Sequence, residues 1–184
     1  NKFGISMQDM DKVIDVAQEM KNVKFIGLHF HIGSQILDMG DFVALCNRVN
    51  ELQDKLEARR ILVEHINVGG GLGIDYGHPN RQAIPNFKDY FATYAGQLKL
   101  RPYQTLHFEL GRAVVGQCGS LISKVLYVKQ GTRKKFAILD AGMTDLIRPA
   151  LYQAFHKMEN ITSEEPLEAY DVVGPVSYTH LTLP

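Results

Sequence analysis

Apolar positions along the first 112 residues switch repeatedly between two periods, and each switch marks a change between helix and strand. Met10, Val13, Ile14, Ala17 and Met20 recur on one helical face, with Ser6 as the expected N-cap and Asp9 standing in for the acidic partner of a capping box. Val23 to Ile32, dense in β-branched and aromatic side chains, predicts a buried strand. Phe42, Leu45, Cys46, Val49, Leu52 and Leu56 mark a second amphipathic helix, and Leu62 to Val68 a second strand that runs into Gly69-Gly70-Gly71. Asn86 is placed to cap a third helix with Phe87, Tyr90, Phe91, Tyr94 and Leu98 along one stripe, and Leu106 to Glu109 makes a third strand.

Strands alternating with helices of this length imply βαβ units and a parallel sheet, hence an α/β fold. Polar or glycine residues close each strand: His29 and His31, then Gly69 to Gly71, then Glu109 and Arg112. Three strand ends delivering chemistry to one rim favour a (β/α)8 TIM barrel, although a doubly wound open sheet also gathers ligands at strand ends. After Arg112 the rhythm changes: Leu121 to Val128, Lys135 to Asp140 and Glu168 to Val173 read as strands, with a turn at Gln130-Gly131-Thr132 and a short helix near Pro149. The expected organisation is therefore the C-terminal portion of a barrel over residues 1–112, and part of a β-rich C-terminal domain over 113–175. A whole barrel needs about 250 residues, so this chain cannot close one alone.

Composition narrows the class without choosing a function. An apolar share of 45%, 22% charged residues and zero formal net charge describe an ordinary globular domain. The one basic cluster, Arg133-Lys134-Lys135, is too short to predict a nucleic-acid or membrane-surface partner. Cys46 and Cys118 lack disulfide or metal spacing, and no apolar run is long enough to span a bilayer. With no signal peptide and no initiator Met, the chain is expected to be a piece of a longer cytoplasmic enzyme. The terminal VSYTHLTLP, residues 176–184, matches one reading frame of a common transposon-derived sequencing adapter, so the natural sequence is expected to stop at Pro175.

Four segments carry candidate chemistry. In GLHFHIGSQ, His29 and His31 share a strand face by alternation. They can be structural, chelate a metal, or place one imidazole on an aromatic cofactor while Gly33 and Ser34 turn toward an anion. In VGGGLGIDYG, consecutive glycines permit positive φ and close approach, which serves either a flexible turn or a phosphate-facing loop. In HFELGRAVVG, Glu109 and Arg112 can form an ion pair. Alternatively, Glu109 can hold the ring nitrogen of a pyridine cofactor while Arg112 takes a phosphate or carboxylate. In LDAGMTDLIRPALYQAFH, Pro149 opens a helix on which Arg148 and Tyr152 either address a carboxylate-bearing substrate or form an ordinary surface turn.

Taken in this order, HIGSQ, GGGLG, E-x-G-R and DAGMxDLIRPALYxAxH resemble the diaminopimelate decarboxylase family, pyridoxal-phosphate enzymes of the alanine-racemase-like fold type III. The resemblance covers essentially everything before the tail. It implies an N-terminal (β/α)8 barrel followed by a β-rich domain, a homodimer, and carbon–carbon lyase activity that turns meso-diaminopimelate into L-lysine and CO2 in lysine biosynthesis. For the cofactor, pyridoxal 5'-phosphate, it implies His31 on the ring, Ser34, Gly70 and Gly71 at the phosphate, Glu109 at the pyridine nitrogen, and Gly111 and Arg112 completing the contacts. Arg112, Arg148 and Tyr152 are the implied substrate-binding residues. Leu110 departs from the family's usual proline. The family's Schiff-base lysine has no counterpart in this chain, and Val176-Ser177-Tyr178 stands where its Cys-Glu-Ser motif is expected, so the chain alone is expected to be inactive and, with strand edges exposed, prone to aggregate.

Three alternatives stay open at this level. One is a metal-dependent barrel hydrolase recruiting further ligands from His65, His78, His107 and Asp140. Another is a non-catalytic, decarboxylase-like regulator that binds a partner. The third is a related decarboxylase acting on arginine, ornithine or carboxynorspermidine.

Overall fold

The computed structural model describes residues 4–81, 84–166 and 168–175, so the tail at 176–184 lies outside the described residues. The described chain separates into two compact units, one built from the chain through Ile74 together with Ile84–Gly116, the other from the loop starting at Asp75 and from Gln117 onward.

The first unit is a three-stranded parallel sheet in the order β1 (Gly27–His29), β2 (His65–Asn67), β3 (Thr105–His107), crossed over by α2 (Met39–Ala58) and α3 (Phe87–Gln97). The predicted α2 stripe is buried in full: Phe42, Leu45, Cys46, Val49, Leu52 and Leu56 pack with Leu28, Ile66 and Val68 of the sheet. Asp38 caps α2 by accepting from Gly40 N–H at 2.8 Å, and Asn86 caps α3, as expected, by accepting from Asp89 N–H at 3.1 Å. Phe42 meets Tyr90 edge-on at 4.9 Å, and Phe108 closes on Tyr94 at 5.3 Å, which locks α2 and α3 over one apolar face. The buried Asn50 amide ties the two helices together, donating to Gln97 O and accepting from Lys99 N–H, each at 2.9 Å.

Several expected boundaries move. The first helix, α1 (Met10–Glu19), starts after Asp9 rather than after Ser6, because the Ser6 carbonyl accepts from Asp9 N–H in a preceding turn. Only Ile14 of its stripe is buried. The strand expected over Val23 to Ile32 contracts to Gly27–His29 and is not buried throughout: Val23, Ile26 and Ile32 are exposed, since among the described residues β1 pairs with β2 alone.

The second unit holds a mixed sheet in the order β4 (Val125–Gln130), β5 (Lys135–Leu139), β6 (Asp171–Val173), with β4–β5 antiparallel and β5–β6 parallel. The hairpin turn falls after Gln130 as predicted, while Leu121 and Ile122 lie outside β4 and are exposed. The helix α5 (Arg148–Tyr152) carries Pro149 in its first turn and ends at Gln153 in a left-handed conformation, φ 51°. Between α3 and the second sheet, the first unit closes with α4 (Gly111–Val115).

Candidate functional site

Register decides which side chains meet. Leu28, Ile66 and Leu106 are partners across β1, β2 and β3 and face the helices, whereas His29, Asn67 and His107 form the next row and face the other way. This second face is polar and open. His29 Nε2 lies 3.3 Å from Glu109 Oε1, and Asn67 Nδ2 donates to the same oxygen at 2.9 Å. On the same face, His65 Nδ1 and His107 Nε2 share a hydrogen bond at 2.9 Å.

Above the strands, the glycine loop is the node against which neighbouring segments pack. Gly69 and Gly71 have φ of +69° and +96°, which side chains rarely tolerate. A Cβ on Gly69 would sit 2.4 Å from Phe30 O and 3.3 Å from His31 Nδ1; on Gly70, 2.0 Å from Glu109 O; on Gly71, 2.7 Å from Gly33 O. The missing side chains thus let the segment after β1 and the segment after β3 close onto one loop from two sides. Backbone bonds seal the contacts: Glu109 N–H donates to Gly69 O at 2.7 Å, Ile36 N–H to Gly71 O at 2.8 Å, and Phe30 N–H to Asn67 O at 2.8 Å.

The expected residues of this unit therefore converge. His31, Gly70, Gly71 and Glu109 surround the loop, and Ser34 is exposed in the turn just beyond His31. Gly111 opens α4 with nothing against its Cβ position, and Arg112 reaches across to Gln35 Oε1 at 3.5 Å. Gln35, itself at φ 62°, binds back to Ile74 O at 2.5 Å. His29 and His31 do not act as a pair: His29 ends β1 and turns to Glu109, while His31 lies past the strand beside Gly69.

Arg148 and Tyr152 belong to the second unit and meet there. The Arg148 guanidinium lies over the Tyr152 ring at 5.5 Å and the Tyr76 ring at 5.9 Å, and His156 meets Tyr76 edge-on at 5.5 Å. Arg148 Nε and His156 Nε2 are buried without a hydrogen-bond partner among the described residues. Burial, reinforced by the Arg148 charge, holds the His156 imidazole below its ordinary range.

Among the described residues no three His, Cys, Asp or Glu side chains converge for a metal ion. His29 is committed to Glu109, His65 to His107, and Asp140 to the Ser123 hydroxyl at 2.6 Å and Lys124 N–H at 2.8 Å.

The family model for the pyridoxal-dependent decarboxylase, pyridoxal binding domain, matches residues 1–116. The chain belongs to the pyridoxal-dependent decarboxylases. Within that family it is 94% identical over 176 residues to the diaminopimelate decarboxylase of Bacteroides thetaiotaomicron, covering 96% of this chain and 46% of that protein. The diaminopimelate decarboxylase of Neisseria meningitidis serogroup B is 38% identical over 180 residues, covering 97% of this chain and 42% of the relative. The crystal structure of diaminopimelate decarboxylase from Helicobacter pylori complexed with L-lysine superposes with a TM-score of 0.85 at 34% identity, over 100% of this chain and 46% of that one. This decarboxylase-family chain therefore spans about half the length of the relatives it matches. The parallel sheet corresponds to part of their pyridoxal-binding domain, and a closed barrel is not formed by the described residues. No helix among them is long and apolar enough to cross a membrane.

Three residues of the rim escaped the sequence reading: His29 as a partner of Glu109, Asn67, and Gln35. The signal for Asn67 was a polar residue between the apolar Ile66 and Val68, immediately before the glycines. The pairing of His29 with Glu109 needed the register, which sequence spacing does not supply.

Proposed function

We propose that this chain works as part of a diaminopimelate decarboxylase, converting meso-2,6-diaminopimelate to L-lysine and CO2. The observation that carries the reading is the meeting of His31, the triple glycine and Glu109 at adjacent strand ends. That donor set fits pyridoxal 5'-phosphate: a carboxylate for a ring nitrogen, an imidazole for a ring face, and a glycine loop with a hydroxyl, Ser34, nearby for an anion. When bound, the cofactor supplies an electron-withdrawing ring that stabilises the negative charge left at the substrate carbon as CO2 departs.

The residues of this chain then divide the work. Glu109 holds the proton on the ring nitrogen, where a carboxylate keeps the ring cationic. His31 fixes the ring plane, and Ser34, Gly70, Gly71 and Gly111 bind the phosphate end. Arg112 takes a phosphate or carboxylate oxygen, and Arg148 with Tyr152 orients the substrate's distal carboxylate, for which a planar guanidinium offers two parallel bonds. A substrate with a distal carboxylate matches that pair better than ornithine, arginine or carboxynorspermidine, which lack one. The intact enzyme is a cytoplasmic homodimer built on a closed (β/α)8 barrel in this reading, and the 184-residue chain alone releases no CO2.

The test is a full-length protein in which residues 1–175 of this chain replace the matching segment of the Bacteroides relative. Purified with pyridoxal phosphate, it is expected to release CO2 and L-lysine from meso-diaminopimelate far faster than CO2 from the other three substrates. Preference for any of those three, or CO2 release by the isolated 184-residue chain, overturns the corresponding part of the reading.

A further inference from the structure

We propose that His29 and Asn67 are positioning residues for Glu109, gripping one carboxylate oxygen so that the other is presented in a fixed direction. The inference rests on the role given to Glu109 above. Both contacts fall on Oε1: His29 Nε2 at 3.3 Å and Asn67 Nδ2 at 2.9 Å. They arrive from two different strands, because His29 and Asn67 are register partners at the ends of β1 and β2. Glu109 itself lies just past β3, so three consecutive strands contribute one side chain each.

Asn67 has only one way to sit. Its Oδ1 accepts from Gly69 N–H at 2.8 Å, which leaves Nδ2 as the group turned toward Glu109. The carboxylate's backbone is equally constrained, since Glu109 N–H donates to Gly69 O at 2.7 Å and the Glu109 carbonyl occupies the space a Gly70 Cβ would need. Phe30 N–H donating to Asn67 O at 2.8 Å holds the turn immediately after His29. Side chain, amide and glycine loop are thus one connected network, and a shift in any member moves the carboxylate.

Stability does not account for this arrangement. The His29 and Glu109 side chains are 58% and 51% exposed, and a polar contact so open to water contributes little to folding. What an amide donor and an imidazole nitrogen against one oxygen do supply is a restricted carboxylate rotamer. A group that must meet a ring nitrogen needs that, because misplacement by about 1 Å can cost a hundredfold in rate.

The test uses the full-length protein carrying residues 1–175 of this chain, loaded with pyridoxal phosphate. His29→Phe and Asn67→Leu are each expected to lower kcat by roughly 10- to 100-fold with KM little changed. Each is also expected to alter the visible absorption of the bound cofactor and to weaken its retention on dialysis. His29→Gln, which keeps an N–H near the Nε2 position, is expected to restore most of both signals. In a Glu109→Gln background, His29→Phe is expected to add less than about twofold, because groups acting through one another are not additive. Parental kcat and spectrum in His29→Phe and Asn67→Leu, beside an impaired Glu109→Gln, overturn the positioning role and leave the reading of Glu109 intact. Parental behaviour of Glu109→Gln itself overturns that reading instead. Full multiplicativity of His29→Phe and Glu109→Gln, or failure of His29→Gln to rescue a folded variant, also counts against the proposal.

Discussion

Replacing Gly70 by alanine is expected to damage the rim through sterics alone. Its φ is not positive, so no backbone strain enters, and the whole cost comes from one methyl group. That methyl would lie 2.0 Å from Glu109 O and 2.9 Å from Glu109 C, about 1.4 Å short of ordinary contact for the oxygen. The obstacle is backbone at a strand end, held by the Glu109 N–H to Gly69 O bond at 2.7 Å, so it cannot swing aside like a side chain. Overpacking of this kind costs about 1–3 kcal/mol, and stretching that bond adds about 1 kcal/mol, for a total of about 2–4 kcal/mol. Against a usual folding stability of about 5–15 kcal/mol, this is a large fraction. The chain has eight tyrosines and no tryptophan, so tyrosine fluorescence from the buried Tyr90 and Tyr94 reports unfolding of the first unit directly. The urea midpoint is expected to fall by about 1–2 M, given slopes of about 1–3 kcal/mol/M. Gly96→Ala is the internal control: it lies in α3 with nothing near its Cβ position, and it is expected to stabilise by up to about 1 kcal/mol. A Gly70→Ala midpoint within error of the parent, while Gly96→Ala behaves as stated, refutes the claim that the loop is closed by backbone contact.

Other expectations rest on the same geometry. Asn50→Leu leaves Gln97 O and Lys99 N–H without their buried partner and is expected to cost about 2–4 kcal/mol, read as a lowered thermal midpoint; a neutral result would mean water replaces the amide. Burial pushes the Cys46 thiol up to about 11, so a maleimide at neutral pH is expected to modify the exposed Cys118 alone until denaturant is added. Prompt double labelling of folded protein contradicts this. His156 binds its proton more weakly folded than unfolded, so its contribution to stability is intact above an unfolded value of about 6.5 and is lost as pH falls below it. His156→Phe is therefore expected to gain stability relative to the parent as pH drops from 7.5 to about 5.5 in urea titrations, and a pH-independent difference would refute the assignment. Because β1 and β3 pair on one side only among the described residues, the isolated chain is expected to self-associate on concentration, measurable by light scattering.

How legible each part was depends on where its determinants lie. The α2 stripe was readable in full because the helical period and the buried face are both local properties, and α3 began where the Asn86 side chain said it should. The ends of β1, β2 and β3 were less readable, since a strand stops where its partner stops pairing, and partners lie about one βα unit away in sequence. Ser6 misled for a related reason: a serine satisfies a turn as readily as a helix cap, and the residues after it, here Met7 to Asp9, make the choice.

The candidate site divides along the same line. Histidines, glycines, Glu109 and Arg112 announce chemistry by type, but type does not say which of two histidines meets the carboxylate. Alternation alone treats His29 and His31 as equivalents; the fold separates them, because the strand ends at His29 and the glycine loop receives His31. The glycines are where fold and site become inseparable. Each lacks a Cβ because a neighbouring carbonyl occupies the place, and those carbonyls belong to the segments carrying His31, Gly33 and Glu109. Selection for close packing at this loop therefore also fixes the distance between an imidazole and a carboxylate on adjacent strand ends. A substitution here cannot loosen the packing without also moving the groups that would hold a ring, which is why Gly70→Ala is expected to lower stability and cofactor retention together rather than separately.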